Sequence, residues 1–264
     1  MQPSYAIETL PPVQGESSPI GERALAQHEL LIARLRAAGV GVTVLDSDPN
    51  APLGVAAADL AVILPNGAVL MRPSDLARRG EVARIEAALR EASIPVIGRI
   101  EPPGLLDGGD VIVSRDAVYV AMPEDRRSSV GIPRAQRGNA LGRSQFAALC
   151  SGFGLRTVEV KVASEVRRLR SVAGLVDADT ILVAGGLVDA GAFATAKRIE
   201  VPRGEDYGAG VLTVAPRRVI ANLRFRETLP VLRRERIAVD AIDLWEFGKA
   251  GITPSTLVLA LNRT

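Results

Sequence analysis

The sequence predicts an α/β protein arranged as a ring of five small modules, each a β-hairpin followed by a helix and a third strand. Three observations carry this. A unit of roughly 40 to 50 residues recurs along the chain, the sequence signature of an array whose copies cover one another's sheets. Within the units, strands are separated by turns of two or three residues, which force antiparallel pairing and argue against a doubly wound parallel sheet. Finally, no G-x-G-x-x-G follows a strand to open a helix, so the nucleotide-binding version of an α/β fold is not indicated.

The clearest unit spans residues 59–99: "DLAVIL", the turn "PNG", "AVLMRP", a helix around "RGEVARIEAALREA" and the strand "IPVIGR". Short β-branched runs bounded by turn residues mark the strands, and the 3.6-residue apolar spacing marks the helix. Residues 110–162 repeat the order as "DVIVS", "VYVAM", a long arginine-rich loop, the helix "GRSQFAALCSG" and the strand "LRTVEVKV". Residues 207–244 repeat it with "GVLTV", "RVIANL", the helix "RETLPVLRRER" and "IAVDAIDL". A compressed copy runs from "GLVDADTILVAGG" to "AGAFATAKRIEV". The fifth is assembled from both ends of the chain: "YAIETL", a helix over 21–38, "GVGVTVL" and the C-terminal "STLVLALN", whose strand closes the ring. The 264 residues are read as one domain.

Composition narrows the functional classes. The chain is 47% apolar and 23% charged, enough for a packed core. Aromatics make up 3%, so the core falls to Val, Ile, Leu and Ala. The net charge of +2 comes without any basic block, which disfavours a nucleic-acid partner. Only Lys161, Lys197 and Lys249 are lysines; the remaining positive charge is arginine, suited to bidentate carboxylate contacts. No apolar run is long enough to span a membrane and no leader is read at the N-terminus, so a cytoplasmic protein is expected. Cys150 is the single cysteine, excluding an internal disulfide, and His28 the single histidine. With so few ligands, neither a metal nor a cofactor is expected.

Several segments, in order, carry a more specific signal: "ALAQHELLIARLRAAGVGVTVL" (24–45), "DLAVILPNGAVLMRPSDLARRGEV" (59–82), "EPPGLLDGGDVI" (101–112), "RGNALGRSQFAAL" (137–149), "VPRGEDYGAGVL" (201–212) and "KAGITPSTLVLALNR" (249–263). On these the chain resembles the dimethylarginine dimethylaminohydrolases and their amidinotransferase and arginine-deiminase relatives, guanidine-modifying enzymes of the five-bladed β/α propeller called the pentein fold. The resemblance implies that Asp59 and Asp107 grip a substrate guanidinium, whose planar fork of donors suits a pair of carboxylates. It further implies that Arg78 and Arg137 hold an amino acid's carboxylate, and that the protein is a homodimer.

The family's reacting groups are a cysteine thiolate and a histidine. At the matching positions this sequence has Thr256, beside Ser255, and Arg168. Arginine is no general base, and a hydroxyl needs a neighbouring base to attack. The family's asparagine in "YAAN" is Gly210, and an aromatic three residues before Asp59 is Ala56. The expectation is therefore a dimethylargininase-like chain that has lost guanidine hydrolysis, leans away from being an enzyme, and binds a guanidino or amino-acid ligand through Asp59, Asp107, Arg78 and Arg137. A second expectation keeps catalysis, as a C–N hydrolase with Asp107 as base, Thr256 or water as nucleophile and Arg168 with Arg170 stabilising the anion. A third is a macromolecular interaction protein presenting the arginines of the 126–143 loop. His28 is read as a core or interface residue on the apolar stripe of Leu25, Leu31, Ile32 and Leu35, and Cys150 as a packed small hydrophobe.

Overall fold

The computed structural model describes residues 21–46, 48, 51, 54–123, 138–194 and 196–261. Four three-stranded sheets alternate with helices. β1 (Ala61–Leu64) and β2 (Gly67–Leu70) form an antiparallel hairpin, α2 (Val82–Glu91) crosses over, and β3 (Val96–Arg99) returns parallel to β2. β4 (Val111–Val113) and β5 (Val118–Pro123) pair likewise, followed by α3 (Ala140–Gly152) and β6 (Thr157–Val162) parallel to β5. β7 (Ala173–Asp177), β8 (Thr180–Val183) and β9 (Lys197–Glu200) build the compressed copy, with only a 3₁₀ turn at Ala190–Ala192 in place of the helix. β10 (Leu212–Ala215), β11 (Arg218–Asn222), α5 (Thr228–Arg234) and β12 (Ala238–Ile242) complete the set. The hairpin–helix–parallel strand order expected from the turns is present in all four, except that the compressed copy lacks its helix.

The fifth module is where expectation and structure differ. Its helix α1 spans Gly21–Ala37 and buries Ala24, Leu31 and Leu35. Among the described residues, neither 39–45 nor 258–261 pairs as a strand, and "YAIETL" lies outside them. These extended pieces still pack: Val40, Val42 and Val258 lie on the cluster around Phe247 and Ile242, and Leu45, Leu259 and Leu261 on the cluster around Leu70 and Leu89.

One turn shows why its residue type is obligatory. In the β1–β2 hairpin Gly67 has φ +144, and a Cβ there would meet the Pro95 carbonyl and Ile97. Only glycine reaches that conformation without strain. The β-branched strands account for the burial: all four residues of β1, β2 and β8 are inaccessible, as they must be when both faces of a sheet are covered. Cys150 is fully buried beside Phe146 and Leu106, as a packed hydrophobe.

The feature that positions the site is a repeated short turn. Five of them, Ala57–Asp59, Gly108–Asp110, α4 (Leu169–Val172), Asp206–Ala209 and α7 (Pro254–Leu257), each sit just before the first strand, or the C-terminal extended segment, of a module. They pack against one another where the modules meet. α6 (Trp245–Gly248) carries the chain from β12 towards the last of them.

Candidate functional site

The central turns bring acids and arginines into direct contact. Asp59 ends the first turn with 1% of its surface exposed. Its carboxylate accepts from Arg168 Nε at 2.8 Å on both oxygens, from Arg168 Nη2 at 2.6 Å, and from Arg78 Nη1. Arg78 in turn donates from Nη2 to Glu81 at 2.8 Å and to the Ala56 carbonyl at 3.2 Å. Burial alone would raise the Asp59 pKa, but the charges of Arg168 and Arg78 and the bonds they donate outweigh it and hold the carboxyl below its ordinary range. The same acid outweighs the burial of Arg168 and fixes it as a cation.

The "DGGD" loop is shaped around this pair. A Cβ on Gly108 would strike the Ala58 carbonyl, and one on Gly109 would strike Asp59 Oδ1 and stand 2.8 Å from Arg168 Cδ. The two glycines therefore let the loop close onto the ion pair rather than cradle a phosphate. Asp110, at the end of the loop, accepts from the Leu169 backbone N–H at 3.0 Å and so ties down the turn that carries Arg168. Asp107, at its start, accepts from Ser74 Oγ at 2.6 Å and Ser74 N at 3.2 Å. Its side chain keeps some accessible surface, unlike Asp59. Burial, reinforced by the charge of Asp59 and opposed by the Ser74 bonds, pushes its pKa from 3.8 to about 7.

Arg170 stands two residues beyond Arg168. Its guanidinium has no hydrogen bond or ion pair among the described residues, and burial, offset only in part by Asp59, lowers its pKa to about 10. The Nη1 of Arg168 is likewise a buried donor without an acceptor.

The hydroxyl cluster of the last turn is committed to structure. Thr256 is fully buried; its Oγ1 accepts from Thr253 N at 3.1 Å and donates to the Thr253 carbonyl at 2.9 Å, closing a capping box. Ser255 donates to the Arg170 carbonyl at 2.8 Å and pairs with Thr253 Oγ1 at 3.1 Å. Gly210 packs so closely on Thr253 that a Cβ would stand 2.6 Å away, which leaves no room for the asparagine the resemblance implies there.

Two of the expected binding residues already have partners inside the chain. Arg78 faces Asp59 and Glu81 in the interior, so it is not a free clamp for a ligand carboxylate. Asp59 is already filled by two guanidinium groups of the chain itself. Asp107 is a partly exposed residue, and Arg137 and most of the arginine-rich loop lie outside the described residues. Thr256 is no free nucleophile. His28 packs its ring on Phe247, centroids 6.4 Å apart, with burial lowering its pKa, and Cys150 has its thiol pushed up to about 11 by burial. Sequence reasoning missed Ser74, Glu81 and the anchoring role of Asp110; the repeated turn before each module's first strand was the available signal for Asp110.

Among the described residues no cluster of His, Cys, Asp and Glu fits a metal ion, and no helix is long and apolar enough to cross a membrane. A cleft is lined by Asp206, Tyr207, Asn222, Trp245, Thr253 and Pro254, residues that include parts of two of the central turns.

Comparison with known proteins then places the geometry. The N(G),N(G)-dimethylarginine dimethylaminohydrolase of Pseudomonas aeruginosa is 28% identical over 227 residues, covering 86% of this chain and 84% of that protein. Its counterpart in Streptomyces coelicolor is 29% identical over 226 residues, covering 86% and 81%. A structure of a variant P. aeruginosa enzyme complexed with citrulline superposes with a TM-score of 0.84 at 26% identity, covering 96% of this chain and 93% of that one. Over most of its length the chain is similar to the dimethylarginine dimethylaminohydrolases, and it has their pentein fold. The N-terminal domain of ArgZ, an arginine dihydrolase of cyanobacteria, shares the fold with a TM-score of 0.80 at 18% identity. No family model matches the chain. These relatives are hydrolases over more than four fifths of the chain, and that finding corrects the expectation of a protein leaning away from catalysis. The chain is dimethylargininase-like, and the proteins it resembles are hydrolases.

Proposed function

We propose that this pentein protein is a small-molecule hydrolase that cleaves a carbon–nitrogen bond of an amino-acid-derived compound, with Asp107 as general base and water as the nucleophile. The observation that carries the reading is Asp107 itself: a partly buried carboxylic acid among the central turns, held by Ser74, with a pKa of about 7. A group poised at the working pH takes a proton from water when ionised and returns one to a leaving nitrogen when protonated. Thr256 is excluded as nucleophile by its capping bonds, which leaves water.

The unsatisfied Nη1 of Arg168 supports the second half of the mechanism. A buried donor without an acceptor costs about 1–3 kcal/mol. It becomes favourable when negative charge develops on the attacked group, the principle of an oxyanion hole. Arg170, whose charge is felt by the same Asp59, adds positive charge to this region. The relatives support the substrate class: one P. aeruginosa structure holds citrulline, and a dimethylarginine dimethylaminohydrolase forms an adduct with S-methyl-L-thiocitrulline.

The test is release of ammonia or alkylamine from a panel of guanidino, ureido and amide amino acids. Turnover of at least one is expected, with Asp107→Asn slower by about 10²-fold or more. Absence of turnover across the panel, or full activity in Asp107→Asn, refutes the proposal.

A further inference from the structure

We infer that the site takes a neutral acyl–nitrogen compound bearing a carboxylate, a ureido or amide acid, and discriminates against a guanidinium cation. This rests on the reading of the ring centre as a small-molecule site and names its substrate class.

The first observation is that the chain supplies its own guanidinium. A carboxylate offers about four lone-pair positions. Those of Asp59 meet Arg168 Nε, Arg168 Nη2 and Arg78 Nη1, and 1% of the residue is exposed. A cationic ligand seeking Asp59 has to expel Arg168 and leave that side chain buried and unpaired, the costly way to break an internal ion pair. The arrangement is built into the loop: Gly109 has no Cβ at the point where Asp59 and Arg168 come together.

The second observation is what remains unsatisfied. Arg168 Nη1 has no acceptor, and Arg170 has no hydrogen-bonded or ionic partner among the described residues. Of the acids near them, Asp59 is filled, Glu81 is bonded to Arg78, Asp110 holds the Leu169 N–H, and Asp107 is bonded to Ser74. Both Ser74 bonds fall on Asp107 Oδ2; what Arg168 Nη1 lacks is an acceptor. A carbonyl oxygen, with two lone pairs, suits the unpaired Nη1 of Arg168, and a carboxylate suits the guanidinium fork of Arg170.

In the reaction this implies, Asp107 takes a proton from water as the water oxygen bonds to the carbonyl carbon. The carbon–nitrogen bond then breaks with its electron pair on nitrogen, which receives the proton from Asp107. The products are an amine or ammonia and a carboxylic or carbamic acid, with no change of oxidation state.

Citrulline and arginine form a matched pair of probes, differing in a neutral C=O against a cationic C=NH₂⁺. Titration calorimetry on the full-length Asp107→Asn protein should show L-citrulline binding at least about tenfold tighter than L-arginine. Arg168→Gln, which frees Asp59, should reverse the order. Should that variant fail to fold, Arg170→Gln is expected to weaken citrulline about tenfold while leaving thermal stability intact. Arginine binding as tightly as citrulline, neither binding at millimolar concentration, or no effect of Arg170→Gln overturns the inference. Failure of the two proposals is separable. Citrulline preferred but never hydrolysed sinks the hydrolase reading alone, whereas arginine preferred and hydrolysed sinks this one alone.

Discussion

Asp107→Asn should make the protein more stable, by an amount that depends on pH. In the folded chain the Asp107 carboxyl is pushed from 3.8 to about 7, first by burial and then by the charge of Asp59. Between those values the native state holds a proton that the unfolded chain has released, so native stability falls as pH rises from about 4 to 7 and levels off above. The difference between 3.8 and about 7, at about 1.36 kcal/mol per tenfold step, corresponds to roughly 4 kcal/mol. Residual solvent access to Asp107 makes this an upper limit, and about 2–3 kcal/mol is expected at pH 8 after allowance for screening. Asparagine carries no titrating proton and keeps an acceptor for Ser74. Urea unfolding of both proteins from pH 4 to 8.5 should give curves that coincide at the acid end and diverge steadily towards neutrality. A difference that is constant across the range would refute the placement of Asp107 in a charge-repelling interior.

Other perturbations bear on the remaining parts. Thr256→Ala should lose about 1 kcal/mol through the broken capping box, measured by thermal unfolding, while turnover stays within a few-fold because the hydroxyl does not attack. Gly109→Ala should lose roughly 1–3 kcal/mol or more, since its new Cβ meets Asp59 and Arg168; near-wild-type stability would deny the close approach. The Cys150 thiol, fully buried and with its pKa pushed up to about 11, should resist a thiol reagent at pH 8 until denaturant is added.

Much of the ring was legible before the structure. Strand and helix order in the units at 59–99 and 110–162 follows from turn residues such as Asn66-Gly67 and from the spacing of Ile85 and Leu89, which are local signals. The fifth module was less readable because its parts come from opposite ends of the chain, and residues 39–45 and 258–261 pack by their apolar side chains without forming a paired strand. Within the site, the sequence singles out Asp59, Asp107 and Arg168 but not the relation between them. That Arg168 reaches back to Asp59 across 109 positions is a tertiary fact no spacing rule contains. Nor do the sequence neighbours of Arg78 disclose that it has internal partners, Asp59 and Glu81.

The central claim is that Asp107 is the acid–base group of a hydrolytic site, and its most direct measure is the pH dependence of kcat/KM for amine release. The account predicts a rate that rises with pH through an inflection near 7, as the Asp107 carboxyl ionises, and that Asp107→Asn removes both the inflection and most of the rate. A profile flat between pH 5 and 9, or an inflection that survives Asp107→Asn, would contradict it.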